Sequence, residues 1–272
     1  MDWLKDIKVM IFDLDGTLYQ DYTFLGRYLR YMLNDQLTEQ ELQQQINEAY
    51  AILEGNHPVR FGYFYNYKNQ KIYTHDKLKP ISSFSWENKE QVEVEETVDP
   101  LFYMGDPWCI AAVFGDRHNV SEEKRKHAFE LVRKEMTCEP YRILRHDPLF
   151  EVLANLEMER KIFMTNTPGP SGPEFVKHLK LEHVFDEFFF DAGKPEGIQF
   201  VFERLISEGY QPHQILSVGD NPFNDLYPVK HAGGRTCLIS QYKHADSTVW
   251  DESVSTVEEL TGFLRRFQIV RI

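Results

Sequence analysis

The chain is poor in cysteine, with three cysteines among its 272 residues. Cys109, Cys138 and Cys237 lie far apart in the sequence and form no Cys-x-x-Cys pair. Neither a structural zinc site nor a disulfide framework is therefore indicated, because both need closely patterned cysteines. We interpret the three thiols as buried or unused.

Positive charge is also in short supply. The chain has 30 Lys and Arg residues against 43 Asp and Glu residues, which gives a formal net charge of -13. No run of Lys and Arg stands out, so nucleic acid is a poor candidate partner, since its phosphates would be repelled. An acidic protein attracts divalent cations, however, and a phosphate substrate would need local positive charge to bind.

Long apolar runs are missing as well. No run approaches the roughly 18 residues that indicate a membrane span. The start, MDWLKDIKVMIF, carries acids ahead of a short apolar run and lacks the basic start and small-residue cleavage site of a secretory signal. Hydrophobic residues make up 42% of the chain and charged residues 27%, as in ordinary globular proteins. We expect a cytoplasmic protein without a membrane partner.

Apolar segments alternate with helical patterns from residue 147 onward. Predicted strands cover 8–13, 161–165, 187–191, 214–220 and 235–239, and predicted helices cover 148–156, 173–179, 198–207 and 225–231. Strands without polar alternation, joined by helices, are typical of a parallel sheet that is buried on both faces. We therefore predict an α/β fold with a doubly wound, Rossmann-like parallel sheet.

A long insertion separates the first predicted strand from the second. It is roughly ten times the minimum length of a crossover connection, so we predict a separate domain there. The predicted core is 1–17 and 147–272, and the predicted cap is 18–146 and mainly helical. A possible β insertion covers about 62–99, because aromatic and polar residues alternate around KNQK, as in a hairpin, and QVEVEETV is typical of a further strand.

Helix signals flank this β insertion. The segment 24–53 contains two helical patterns, and Thr38 followed by Glu41 forms a capping box for the second. Ser121 is the predicted cap of a helix over 121–136, and a last helix is predicted in the tail from Ser255.

Two carboxylates follow the first strand, in the stretch VMIFDLDGTLYQ. Asp13 and Asp15 tend to face the same way at this spacing, and Gly16 then frees the backbone to turn. Such a pair alone could be a solvated turn at a strand end. In doubly wound sheets, however, ligands bind outside the carboxyl ends of the strands, where three further polar signals lie.

These signals are loop residues after later strands. MTNTPG places Thr165 and Asn166 behind an apolar strand, DAGKPEG places Lys194 ahead of a helix, and GDNPFND supplies Asp220 and Asp225. Each has a plainer interpretation, as a helix cap, a solvated lysine or acids that complement a helix dipole. Their shared position at strand ends favours one common site.

In their order along the chain, DLDGT, Thr165, Lys194 and GDNPFND strongly resemble the motifs of the haloacid dehalogenase superfamily of phosphohydrolases. The resemblance covers residues 8–17 and about 147–240, without a substitution at a key position. The long insertion corresponds to the family's usual cap site, although the predicted strands depart from a plain helical cap.

The resemblance implies a phosphatase that acts on a small phosphorylated metabolite. Asp13 would be the nucleophile that forms an aspartyl phosphate, and Asp15 the general acid and base. Thr165, Asn166 and Lys194 would bind the phosphoryl group, helped by backbone N–H groups that follow Asp15 and Thr165.

The resemblance also implies Mg²⁺ as cofactor. Asp13, the backbone carbonyl of Asp15 and Asp220 would bind the metal, and Asp225 would orient Lys194 or a water beside the metal. A cation is needed because carboxylate attack on phosphate costs roughly 4 kcal/mol per charge pair at about 4 Å and an effective dielectric constant near 20.

Other functions stay open at this point. A phosphomutase would use the same core residues, and a non-catalytic binding protein could keep the fold. A dehalogenase is disfavoured because that branch lacks an acid at the position of Asp15. Cap residues that could face a substrate are His57, Arg60, Pro107, Trp108 and His118, whereas His231 and His244 are interpreted as structural. The oligomeric state also stays open.

Overall fold

The structure, a computed structural model, describes residues 2–87, 92–94 and 100–270. Its contacts divide the chain into two compact units. The first unit comprises Met1–Asp21, Glu135–Gln241 and Trp250–Ile272, and the second comprises Tyr22–Lys134 and Tyr242–Val249. The assignment of a catalytic core to 1–17 and 147–272, and of a cap to 18–146, stays a prediction.

Helices and strands alternate between residues 147 and 239, whereas the described residues before 147 group several helices or several strands in succession. The strands are β1 (Val9–Phe12), β2 (Phe64–Asn66), β3 (Lys71–Asp76), β4 (Lys79–Ser85), β5 (Val92–Glu93), β6 (Phe102–Tyr103), β7 (Arg160–Met164), β8 (Glu187–Phe189), β9 (Ile215–Gly219), β10 (Arg235–Ile239) and β11 (Glu252–Val254). The helices are α1 (Phe24–Leu33), α2 (Glu39–Leu53), α3 (Pro107–Arg117), α4 (Glu122–Glu135), α5 (Asp147–Ala154), α6 (Ser171–His178), α7 (Glu196–Ser207), α8 (Tyr227–His231) and α9 (Val257–Val270).

The first unit contains a parallel sheet with the strand order β11-β10-β9-β1-β7-β8. All residues of β1 and β9 are buried, as expected of central strands covered on both faces. Val9 and Ile11 pack in one core cluster with Val201 of α7. Burying each such apolar side chain contributes about 1.5–3 kcal/mol to the free energy of folding. The predicted Rossmann-like parallel sheet is therefore confirmed.

The register of this sheet brings several strand ends to one edge. Phe12, the last residue of β1, pairs with Phe163 of β7 and with Val218 of β9. The residues that follow these three strands consequently emerge side by side where the carboxyl ends of the strands meet, which we call the carboxyl edge of the sheet. This is the edge at which α/β sheets bind ligands.

Two parts of the first unit differ from the sequence prediction. β11 was not predicted, because three residues with the sequence ESV at a sheet edge carry no apolar pattern. The helix predicted over 225–231 begins earlier, with one π-helical turn at Pro222–Leu226 that leads into α8.

The second unit combines α1–α4 with an antiparallel sheet of order β5-β4-β3-β2-β6. The predicted hairpin around KNQK is confirmed, since Phe64 pairs with Tyr73 and Asn66 with Lys71. The predicted capping box is confirmed as well, at Thr38 and Glu41. Of the strand predicted along QVEVEETV, β5 is seen, and 91 and 95–98 lie outside the described residues.

A short segment after β10, Tyr242–Val249, belongs to the second unit. Its backbone is bound there, since Ala245 N–H donates to the carbonyl of Phe61 at 2.7 Å. The sequence did not predict this, because the segment and Phe61 are distant along the chain. In the described part of the chain, no helix is both long and apolar enough to cross a membrane.

Candidate active site

A buried lysine bridges two buried carboxylates at the carboxyl edge of the parallel sheet. Lys194 Nζ donates to Asp13 Oδ1 at 2.6 Å and to Asp225 Oδ1 at 2.6 Å. Asp13 directly follows β1, Lys194 precedes α7, and Asp225 lies in the π-helical turn after β9. Three segments that are far apart in the sequence thus converge on one point, and all three residues are at most 8% exposed.

Asp220 joins this group. Asp13, Asp220 and Asp225 each offer a carboxylate oxygen, and these oxygens lie within 4.8 Å of one another. Asp220 lies against the turn after β1, where a Cβ added to Gly16 would come within 2.1 Å of Asp220 Oδ2. Gly16 has a φ of +76°, so the turn needs glycine for both reasons.

A second glycine makes room for Asp225. A Cβ added to Gly219 would lie 2.4 Å from Asp225 Oδ2, so the last residue of β9 must be small. The Asp225 carboxylate also accepts from the backbone N–H of Asn221 at 3.1 Å. Ser217 Oγ donates to the Asp225 carbonyl at 2.7 Å. The Ser217 bond therefore ties the π-helical turn to β9, and the Asn221 bond holds the Asp225 carboxylate within the turn.

Asp15 lies two residues after Asp13 and forms hydrogen bonds with other residues than Lys194. Its Oδ2 accepts a hydrogen bond from Thr167 Oγ1 at 2.8 Å, and its Oδ1 accepts from the hydroxyl of Tyr19. Asp15 is partly buried, whereas Tyr19 and Thr167 are buried. Both carboxylate oxygens are thus held by hydroxyl donors from different loops.

Thr165 and Asn166 follow β7 at the same edge. Thr165 is 1% exposed, and its Oγ1 accepts from the backbone N–H of Thr167 at 3.1 Å. The side chain of Asn166 holds the backbone of Lys194, since Oδ1 accepts from Lys194 N at 2.7 Å and Nδ2 donates to Lys194 O at 3.1 Å. Asn166 therefore fixes the loop that carries the lysine.

The electrostatics of the lysine cluster are dominated by burial. Burial raises the pKa of Asp13 to about 7, with the Lys194 ammonium opposing this rise and the carboxylate of Asp225 adding to it. Burial alone would lower the pKa of Lys194, but the attraction of Asp13 and Asp225 outweighs it and raises that pKa. Lys194 is therefore a firmly charged cation in a low-dielectric site.

The donor set suits a hard divalent cation. Three carboxylates are buried together, and the one ammonium contacts two of them, those of Asp13 and Asp225. Buried negative charge is costly unless it is paired or coordinates a metal. Carboxylate oxygens are the ligands that Mg²⁺ prefers. The residues present thus fit the predicted ion.

The cap candidates named from the sequence contact residues of their own unit. Trp108 stacks on Phe24 with a ring separation of 3.8 Å, and His118 Nε2 lies 2.9 Å from Gln45 Oε1. His57 Nδ1 accepts from the Val59 backbone N–H at 3.1 Å. His244, interpreted as structural, is 7% exposed and packs on Phe61 at 4.2 Å.

Sequence reasoning missed four residues that shape the site. Tyr19 and Thr167 hold Asp15, Thr17 Oγ1 lies 3.4 Å from Asp13 Oδ2, and Asn221 supports Asp225. Thr17 and Asn221 lie inside the motifs DLDGT and GDNPFND and could have been named from them. Thr167 lies inside MTNTPG and Tyr19 lies two residues beyond DLDGT, but no sequence pattern marks either residue as a partner of Asp15.

Comparison with solved structures identifies similar folds. YfnB from Bacillus subtilis, solved bound to magnesium, is 18% identical with a TM-score of 0.53, and the match covers 95% of this chain and 99% of that one. A predicted phosphoglycolate phosphatase from Haemophilus somnus 129pt is 17% identical with a TM-score of 0.54, covering 95% and 98%. At these identities the likeness concerns the fold alone. A search of curated proteins found no match.

A family model supplies the assignment that the structural likeness does not. The model described as haloacid dehalogenase-like hydrolase matches residues 7–233, which is most of the chain. The matched range includes every motif residue at the carboxyl edge described above. The chain therefore belongs to the haloacid dehalogenase-like hydrolases.

Proposed function

We propose that the protein is a Mg²⁺-dependent phosphatase that hydrolyses a small phosphorylated metabolite through an aspartyl phosphate. The observation that carries this proposal is the buried contact of Lys194 with Asp13, beside the carboxylates of Asp220 and Asp225. A nucleophilic carboxylate, a fixed cation and a metal-ligand set lie within one small volume. Attack on a phosphoryl group needs these three elements together.

In the first step, a carboxylate oxygen of Asp13 attacks phosphorus. The bond between phosphorus and the substrate oxygen breaks, and the leaving oxygen takes a proton from Asp15. The product alcohol departs, and the phosphoryl group stays on Asp13 as an acyl phosphate. Asp15 is suited to this role because it lies two residues from Asp13, yet has separate hydrogen-bond partners.

In the second step, water attacks the phosphorus of the acyl phosphate. Asp15, now a carboxylate, takes one proton from the water, and the bond between phosphorus and the Asp13 oxygen breaks. Inorganic phosphate leaves, and both side chains return to their starting state. One difficult displacement is thereby divided into two easier ones.

Lys194 has the clearest supporting role. Its ammonium contacts Asp13, so it would lie beside the phosphoryl oxygens during both steps and offset the repulsion between carboxylate and phosphate. Asn166 fixes the backbone of this lysine, and its own backbone N–H would help Thr165 to bind phosphoryl oxygens. Asp225 keeps the ammonium in place from the other side.

Mg²⁺, when bound, would supply further positive charge on the phosphoryl oxygens. Asp13, the backbone carbonyl of Asp15 and Asp220 would hold it. Asp225 lies in the same carboxylate group but is engaged by Lys194, and we assign it the supporting role. The net charge of -13 argues against large polyanionic substrates, and the burial of Asp13 favours compact ones.

The test is hydrolysis of p-nitrophenyl phosphate with Mg²⁺ and with EDTA, followed by a panel of sugar phosphates, nucleoside monophosphates and phosphorylated cofactors. We expect Mg²⁺-dependent release of inorganic phosphate, reduced about 10³-fold or more in Asp13→Asn. Asp147→Asn, an exposed aspartate in α5, is the matched control and should keep full activity.

Absence of Mg²⁺-dependent turnover across the panel would contradict the proposal and favour a binding protein that keeps the fold. Transfer of the phosphoryl group back to substrate, without release of inorganic phosphate, would instead indicate a phosphomutase.

A further inference from the structure

Both carboxylate oxygens of Asp15 are held by residues to which the family resemblance assigns no role. We propose that Tyr19 and Thr167 are positioning residues that together orient the carboxylate of Asp15 for its proton transfers. This inference rests on the proposed function, because it assigns Asp15 the general acid and base role. It adds two residues to the machinery of that reaction.

The two donors reach Asp15 from different parts of the first unit. Tyr19 lies four residues beyond Asp15 in the loop after β1, and its hydroxyl donates to Oδ1. Thr167 lies in the loop after β7, and its Oγ1 donates to Oδ2 at 2.8 Å. A carboxylate bonded at only one oxygen can still rotate about its last bond, whereas one bonded at both oxygens cannot do so without losing a hydrogen bond.

Tyr19 is itself rigid. The residue is 4% exposed, and its ring packs against Phe175 of α6 with a centroid separation of 5.8 Å. Its backbone also forms an isolated parallel bridge with Asp15. A tyrosine has few rotatable bonds, so a packed ring places its hydroxyl with little spread. The donor to Oδ1 is therefore a fixed point.

Thr167 is anchored from two directions. Its backbone N–H donates to Thr165 Oγ1 at 3.1 Å, and its carbonyl accepts from Asp191 N–H at 3.1 Å. The threonine expected to bind phosphate is thus joined, through one hydrogen bond, to the residue that holds Asp15. These linked hydrogen bonds fix the Asp15 carboxylate relative to the phosphoryl position. The rate of proton transfer is sensitive to this distance, since a misplacement of about 1 Å can lower the rate roughly 10²-fold.

The test is a double-mutant cycle in the Mg²⁺-loaded enzyme, on the best substrate from the phosphate panel. Tyr19→Phe keeps the ring and removes the hydroxyl, and Thr167→Val keeps the shape and removes the donor. We expect each change to lower kcat by about tenfold to 10²-fold, with KM changed less than about threefold. Thr167→Ser, which restores a hydroxyl, should recover most of the loss of Thr167→Val.

The decisive comparison uses the Asp15→Asn background. If the two hydroxyls act through Asp15, then Tyr19→Phe and Thr167→Val will not lower the residual kcat of Asp15→Asn any further. A merely structural role would lower it by the same factor as in the wild type. Tyr210→Phe, at the other edge of the sheet, is the matched control and should leave kcat unchanged, and melting temperatures show that each variant is folded.

Each remaining outcome is decisive as well. An active wild type with unaffected Tyr19→Phe and Thr167→Val variants would overturn the positioning role and leave the proposed function intact. Equal losses with and without Asp15 would also overturn it. A folded wild type without phosphate hydrolysis or transfer would overturn the proposed function, and the positioning role together with it.

Discussion

The two edges of the parallel sheet both carry charged side chains, but they arrange them in opposite ways. At the amino edge, Lys8 pairs with Glu159 at 3.0 Å and Arg160 with Glu208 at 2.5 Å. These side chains are between 32% and 49% exposed. Acids and bases are matched there, and water screens them, so such pairs contribute about 0–1 kcal/mol each.

At the carboxyl edge, three buried acids lie together with one buried base. Asp13, Asp220 and Asp225 lie together with Lys194, whose side chain is 3% exposed. Burying unmatched charge is costly, and folding alone gives no reason for it. The difference teaches that burial and imbalance of charge, rather than the number of charged residues, distinguish the candidate site from an ordinary charged surface.

The same substitution at both edges should give the largest contrast. Lys194→Met leaves Asp13 and Asp225 buried without their cation, so we expect a loss of about 3–5 kcal/mol in the free energy of unfolding and about 10³-fold in kcat/KM. Lys8→Met removes an exposed pair and should cost less than about 1 kcal/mol. Urea unfolding without Mg²⁺ and phosphatase assays measure both. Similar losses for the two variants would mean that burial does not separate the edges.

Substitutions at the two edges should also differ in their effect on metal binding. A ligand that binds only the folded state at a hundredfold excess over its Kd stabilises it by about 2.7 kcal/mol. We expect Mg²⁺ to raise the melting temperature of the wild type and of Glu208→Gln, but not that of Asp220→Asn. Thermal unfolding with and without Mg²⁺ measures this effect. If Asp220→Asn responded like the wild type, Asp220 would not be a metal ligand.

Close packing is a further mark of the carboxyl edge. Gly219→Ala would place a Cβ 2.4 Å from Asp225, so we expect a loss of about 1–3 kcal/mol and reduced activity as Asp225 is displaced. The control is Gly262→Ala in α9, where the added Cβ would meet no described atom within 4 Å apart from its chain neighbours and the backbone of its own helix. Alanine there should stabilise the helix by up to about 1 kcal/mol. Chemical unfolding of both variants gives the two values, and equal effects would show that the approach at Gly219 is not tight.

The sequence could predict the residues of the carboxyl edge because of how parallel strands are built. Their carboxyl ends must meet at one edge, so polar residues after buried strands, such as Asp13 and Thr165, are brought near one another whatever the loop details. The apolar runs of β1 and β9 are long enough to be read directly. For these reasons the parallel sheet and the family resemblance were correct.

What the sequence could not predict depends on packing between distant segments. The hydrogen bonds of Tyr19 and Thr167 with Asp15 depend on side-chain rotamers in two loops, which no periodicity encodes. β4 lies within the predicted β insertion but was not predicted as a strand of its own, because its sequence KPISSFS carries little apolar pattern. β11 was missed because it has only three residues. The inclusion of Tyr242–Val249 in the second unit follows from contacts such as that of Ala245 with Phe61.

The smallest predicted effect concerns the exposed pair of Arg160 and Glu208. Its coupling energy, from Arg160→Gln, Glu208→Gln and the double variant, should be about 0.2–1 kcal/mol at low salt. It should nearly vanish near 1 M salt, where the Debye length falls to about 3 Å. The coupling energy of Lys194 with Asp13, measured in the same way, should persist in high salt. Both side chains are buried, so dissolved salt ions screen them much less. A salt-independent Arg160 coupling would show that the amino edge is shielded as well, and charge imbalance alone would then distinguish the two edges.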